Sequence, residues 1–342
     1  MPSAELYPGI CDFHVHVGEK IGGLDLRDDF AALDRLAKKT GVAAIGAFVT
    51  EEPGISLTDK LRRMQADAAQ HFEGHVQWHL TPVAADLKEV EPLLREGCDL
   101  KFYTTYKQAG IYKSCQEIGR WMEDLGQLKA RVLVHCEDDA VIAQTSAAHP
   151  FKTAWDHTLR RPELAEYIAV ERVLDLAVKH DHPVHIVHVS TPGAALLIAA
   201  AKRHNPRITC ETAPHYLLYN ADKLKEPDGH RWLCTPPLRS EDSRGLLVEL
   251  LQDGFFDLIA SDHCPFRPAD KDRYQDTPAM VPMGLPGLAS LFPSTFDLLV
   301  ERDLIGLDAL LDLCCRRPAE LMGYINPATY SLEQLLGRTD HE

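Results

Sequence analysis

The stretch ICDFHVHV, residues 10–17, reads as a buried β-strand that ends in two histidines. Seven further apolar runs have the same strand-like character: VAAIGAFV (42–49), HVQWHLTPV (75–83), DLKFY (99–103), RVLVHC (131–136), PVHIVHV (183–189), RITCET (207–212) and DLIASD (257–262). Between them lie helical patterns over 28–39, 57–70, 87–96, 113–127, 162–179, 192–203 and 241–253. Near-continuous apolar strands alternating with helices indicate a parallel sheet covered on both faces. Eight such units in roughly 250–300 residues predict an α/β fold of the closed (β/α)8 TIM-type barrel class. An open doubly wound sheet is the competing arrangement, but no GxGxxG turn follows an early strand.

The chain has 342 residues, 45% of them hydrophobic, enough for one large core. Its net charge of −15, with Lys and Arg spread along the chain, disfavours nucleic acid or an anionic membrane as partner. A small molecule is the expected partner, and a homo-oligomer stays open. Nine cysteines without a CxxC pair suit free thiols in a reducing compartment and speak against a thiolate zinc site. The start, MPSAELYPGI, lacks the pattern of a signal peptide, and no apolar run is long enough to span a bilayer. A cytoplasmic protein is expected. The long segments 137–161, 213–240 and 263–290 each follow a strand, which places them on the C-terminal face of a barrel, where active-site loops belong.

His14 and His16 stand at i and i+2, so a regular strand points both to one face, about 6–7 Å apart. Alone, such a pair reads equally well as two buried structural histidines. Four other strand ends carry polar residues: Lys101, His135, His188 and Asp262. Buried charges are costly unless paired or bound to metal, and agreement among five strand ends favours a metal site. His185, three residues from His188, is expected to face away from it.

In order, Asp12 to His16, Lys101, His135, His188 and Asp262 resemble the metal-site pattern of the amidohydrolase superfamily. More narrowly the chain is similar to the cyclic amidohydrolases: dihydroorotases, hydantoinases or dihydropyrimidinases, and allantoinases. VHCEDDAVI (134–142), HIVHVSTPGA (185–194), CETAPHYLL (210–218), TPPLRSEDSR (235–244), SDHCPF (261–266) and MGLPGL (283–288) carry the likeness, which covers roughly residues 8–320. The resemblance implies hydrolysis of a cyclic amide C–N bond at two divalent metal ions, usually zinc. It implies that carbon dioxide carbamylates Lys101, that the carbamate bridges the metals, and that His14, His16 and Asp262 hold one metal while His135 and His188 hold the other. Asp262 would act as general base and then acid. Tyr106, five residues after Lys101, would help stabilise the oxyanion, or be an ordinary loop tyrosine. His215, Thr235 and Gly284 fall in substrate-contacting segments, and Gly287 shapes the same loop or is a plain turn glycine. Relatives usually carry an accessory β-sandwich. Here residues 1–325 read as the barrel and 326–342 as a polar C-terminal tail, so the sandwich is expected to be absent.

The substrate-recognition positions depart from the dihydroorotase pattern. Gly18 stands where those enzymes carry an arginine for the substrate carboxylate, Thr235 where they carry an asparagine, and Phe266 where they carry a histidine. Their Pro-Asn pair is replaced in Val49-Thr50-Glu51-Glu52. These changes favour a neutral cyclic ureide or imide of hydantoin or dihydropyrimidine type, although Lys20 or Arg273 could restore carboxylate binding. A true dihydroorotase of pyrimidine biosynthesis and a non-catalytic scaffold subunit are the alternatives. A deaminase of the superfamily is disfavoured, because deaminases generally lack the bridging lysine.

Overall fold

The computed structural model describes residues 5–128, 130–325 and 328–338. Eight parallel strands follow one another around the sheet in chain order: β1 (Ile10–Val15), β2 (Val42–Thr50), β3 (His75–Thr81), β4 (Asp99–Tyr103), β5 (Val132–His135), β6 (Val184–Ile186), β7 (Thr209–Thr212) and β8 (Leu258–Ile259). The seam between β8 and β1 closes just beyond β8. Val15 bridges His263, whose carbonyl accepts from His16 N at 2.8 Å and whose N–H donates to His14 O at 3.2 Å. This is the expected (β/α)8 barrel, and no helix among the described residues is long and apolar enough to cross a membrane.

Each helix starts and stops where local chemistry directs. In α1 (Phe30–Thr40) the Asp29 side chain caps Ala32 N, Gly41 ends the helix in the left-handed region, and Phe30, Leu33 and Ala37 face the sheet. The helices α2 (Leu57–His71), α3 (Leu87–Arg95), α4 (Cys115–Leu125), α5 (Glu163–Lys179), α6 (Pro192–Lys202) and α7 (Glu241–Gln252) complete the ring within two residues of the periodicity reading. Their apolar faces and the outer face of the sheet make the main core. A smaller cluster with Cys11, Phe13, Phe48, Leu133 and Val187 fills the barrel interior. Gly46 permits this filling, since a Cβ there would lie 2.3 Å from Phe13 O.

Two strands end three residues earlier than the sequence suggests, at Ile186 and Ile259 instead of 189 and 262. His188 and Asp262 lie beyond them with φ of 39° and 50°, a left-handed backbone that no strand continues. Residues 329–338, counted with the polar tail, fold back onto the barrel. Thr329–Tyr330 pairs antiparallel with Tyr7–Pro8, and Leu335 is fully buried. The remainder of that tail, 326–327 and 339–342, lies outside the described residues.

Candidate active site

At the C-terminal mouth of the barrel is a cavity of ≈ 600 Å³, and its floor is made by His14, His16, Lys101, His135, His188 and Asp262. Simple strand alternation does not account for β1. Asp12 pairs with Ile45 and Val15 with Ala47, three steps against two, so the strand bulges. The bulge lets Phe13 turn into the barrel, 4.7 Å from the His79 ring, while the adjacent His14 also faces inward, 4.6 Å from Phe48. The Asp12 carboxylate ties the irregular segment to the far side of the seam by accepting from Ser261 N at 2.9 Å.

The imidazoles form one connected group. Ring centroids are 5.5 Å apart for His14 and His16, 5.4 Å for His14 and His188, and 4.5 Å for His135 and His188. His14 Nε2 lies 3.1 Å from Asp262 Oδ1, and His14, His16 and Asp262 each offer a ligand atom within 4.8 Å of the others. These three fit a divalent cation in the N and O chemistry of their donors.

Three carboxylates absent from the sequence reading hold the imidazoles. Glu211 Oε1 accepts from His14 Nδ1 at 2.5 Å, Glu137 Oε2 faces His135 Nε2 at 2.8 Å, and Glu19 Oε2 faces His16 Nδ1 at 3.5 Å. Each leaves the other ring nitrogen as the lone-pair donor, the usual orientation of a metal-binding histidine by an outer carboxylate. Burial pushes His14 and His188 well below the usual imidazole range and His135 down to about 4, so all three are neutral at neutral pH, the ligating form. Burial alone would raise Glu137, but the Arg161 guanidinium and His135 hold its carboxyl down at about 2. Glu211 also accepts from His185 Nε2 at 3.1 Å, so His185 supports the site from below, as befits a residue expected to face away from the cavity. Glu211→Gln is expected to weaken metal binding and turnover by about 10- to 100-fold. Metal titration of the variant checks this, and an unchanged affinity would remove Glu211 from the account.

Lys101 is 1% exposed and has no hydrogen-bond or ion-pair partner among the described residues. Its ammonium sits 5.0 Å from the ring centroids of Phe48 and Tyr103, and burial pushes its pKa down to about 8. Burial drives Asp262 the other way, well above the usual carboxylate range, with Lys101 opposing. A buried acid that resists ionisation beside neutral imidazoles is the electrostatic signature of a site built around added positive charge.

Tyr106, Thr235 and Gly284 line the same cavity. The Tyr106 ring is 5.1 Å from His135 and 5.2 Å from the Arg161 guanidinium. With φ of 70°, Tyr106 joins His188 and Asp262 among the few non-glycine residues in the left-handed region, a clustering of strained backbone typical of functional sites. A Cβ on Gly284 would meet Cys264 O at 2.7 Å, so only glycine lets this loop approach.

The other singled-out residues spread over the mouth and its surroundings. His215 and Gly287 line a separate neighbouring cavity, and Phe266 lines it too. Gly18 faces Phe30 and not the mouth. Lys20 does reach the cavity, whereas Arg273 lies over Tyr274 on the surface. Glu51 and Glu52 line the mouth but are engaged: Glu51 Oε2 accepts from the N–H groups of Val83, Ala84 and Ala85, and Glu52 pairs with Lys60 at 2.6 Å. The reason is common to all of them. Chain position fixes which end of the barrel a residue occupies, but not which side of a loop it faces.

Comparison with known proteins agrees with this geometry. No family model matches the chain. A dihydroorotase from a Geobacillus strain is 28% identical over 325 residues, covering 92% of this chain and 72% of its own length. A dihydroorotase from Bacillus caldolyticus is 28% identical over 328 residues, with coverages of 93% and 73%. Among solved structures, the dihydropyrimidinase from Brevibacillus agri superposes with a TM-score of 0.88 at 27% identity, covering 94% of this chain and 72% of that one. A D-hydantoinase from a Bacillus species gives 0.86 at 26% identity, with coverages of 92% and 71%. The resemblance to the cyclic amidohydrolase group holds in sequence and in fold.

Proposed function

We propose that this chain hydrolyses the amide C–N bond of a cyclic substrate, in a site that holds two divalent cations, and that its preferred substrates are neutral rings. The observation that carries the proposal is the convergence of four imidazoles, a buried lysine and a buried aspartate on one cavity floor. His14, His16 and Asp262 would hold one cation, and His135 and His188 the other. Lys101 would bridge them once its amine has added to carbon dioxide, forming the N–C bond of a carbamate and releasing a proton. Its lowered pKa keeps more of the amine in the reactive free-base form. The cations, zinc in most such enzymes, would polarise the scissile carbonyl and acidify a water.

The remaining chemistry falls to the side chains. Asp262 takes the proton from the attacking water and returns it to the ring nitrogen as the C–N bond breaks, so the products carry a carboxylate and a free amino or ureido nitrogen. The Tyr106 hydroxyl is raised by burial and stays protonated, as a donor to the developing oxyanion must. Thr235 and Gly284 border the ring.

The neutral preference rests on the charges of the cavity wall. Lys20 and Lys101 are its only Lys or Arg residues among those described, and no guanidinium lines it. Lys20 is 64% exposed and lies 3.6 Å from Asp25, and Lys101 is committed to the bridge. A substrate carboxylate would therefore lack the bidentate contact that offsets its desolvation. Such a charged hydrogen bond contributes roughly 1.5–3 kcal/mol, so kcat/KM for dihydrouracil or hydantoin is expected to exceed that for dihydroorotate by about 10-fold or more. A preference for dihydroorotate would contradict this and restore the dihydroorotase reading.

A further inference from the structure

Two segments that wall the reaction cavity have a second face. Asp262, Cys264 and Gly284 look into the reaction cavity, whereas Ser261, Phe266 and Leu285 look into a neighbouring cavity of ≈ 320 Å³. That volume is near the lower end of the range for ligand pockets, roughly 300–1,000 Å³. The lining is largely aromatic and apolar, with Tyr219, Trp232 and Phe266 prominent.

Two buried polar side chains of this wall lack the partners that burial demands. Lys271 is 4% exposed, yet its ammonium donates only to the carbonyls of Arg231 at 2.8 Å and Leu233 at 3.0 Å. An ammonium has three donors, and no carboxylate lies within ion-pair distance of this one among the described residues. Burial pushes Lys271 down to about 8, the direction expected of a cation without a counter-charge. His215 is 7% exposed, and its Nε2 has no hydrogen-bond partner among the described residues. Buried polar groups are normally satisfied, so these two call for a partner inside the cavity. At the rim, Arg27 and Arg231 pair with Asp28 and Asp272, while Asp228 is the one acid of the lining. With Arg27 and Arg231 so paired, Lys271 is the cation of the lining left without an acid partner among the described residues.

We propose that this second cavity binds a small planar carboxylate. The carboxylate meets Lys271, the ring packs against Tyr219, Trp232 and Phe266, and His215 hydrogen-bonds a ring or substituent polar group. The site is distinct from the reaction cavity and needs no metal.

Calorimetric titration of the full chain with benzoate, and with benzamide as neutral isostere, tests the proposal independently of turnover. Benzoate is expected to bind once per chain, about 10-fold or more tighter than benzamide, and equally in metal-loaded and metal-stripped protein. Lys271→Met should weaken it by at least about 10-fold. Should that variant not fold, Ser290→Trp at the exposed rim plugs the cavity from outside and should abolish binding. No benzoate binding up to about 10 mM, binding lost on metal removal, equal binding of benzamide, or binding unchanged in the plugged variant would overturn it.

Discussion

Lys101→Ala is expected to abolish measurable turnover and to lower metal content below two ions per chain. The expectation follows from the position of Lys101, which is 1% exposed on the floor of the cavity with no ion-pair partner among the described residues. A cation there would repel divalent metals, whereas the carbamate proposed for it would attract and join them. On that reading, removing it would take away a shared ligand and not a single contact. Loss of one transition-state group typically costs about 10²–10⁴-fold, and loss of the bridge adds to that. Lys101→Met retains the volume of the buried stem, so an equal loss in both variants separates the chemistry from packing. Full activity in either variant would show that the bridge is not needed.

Asp262→Asn should lower kcat by about 10²–10⁴-fold while KM and the fold persist. Asparagine keeps an oxygen near His14 Nε2, now 3.1 Å from Asp262 Oδ1, but cannot carry a proton between water and the leaving nitrogen. Burial raises the Asp262 pKa, so in metal-free protein the ionised form is the destabilised one. That contribution is lost as pH rises above the ordinary carboxylate range, so Asn should not lower the Tm of metal-free protein at neutral pH. Near wild-type kcat with both metals bound would mean the proton travels elsewhere.

The eight strands and seven helices were legible because their apolar periods are clean, and the residues of the cavity floor because they share one address, the C-terminal end of a strand. The left-handed turns at His188 and Asp262 were not legible, since they show in no residue pattern and only make sense once both side chains converge on one point. The carboxylates divide by distance. Glu19 and Glu137 sit three and two residues past His16 and His135, so local spacing carried a signal. Glu211 reaches His14 across 197 residues, and only closure of the barrel brings them together. Its place at the end of β7 was nevertheless the same cue that marked Lys101. The cavity that His215 and Phe266 line was not legible either: Asp262 and Cys264 line one cavity while Ser261 and Phe266 line the other, and a loop has no period that says which.

The measurement that bears most directly on the account is ring opening of dihydrouracil or hydantoin by metal-stripped protein, followed as zinc is added back in bicarbonate buffer. Turnover should be absent without metal and should rise to a plateau at two equivalents per chain. Ring opening at full rate without metal, or none of any cyclic amide at two equivalents, would contradict it.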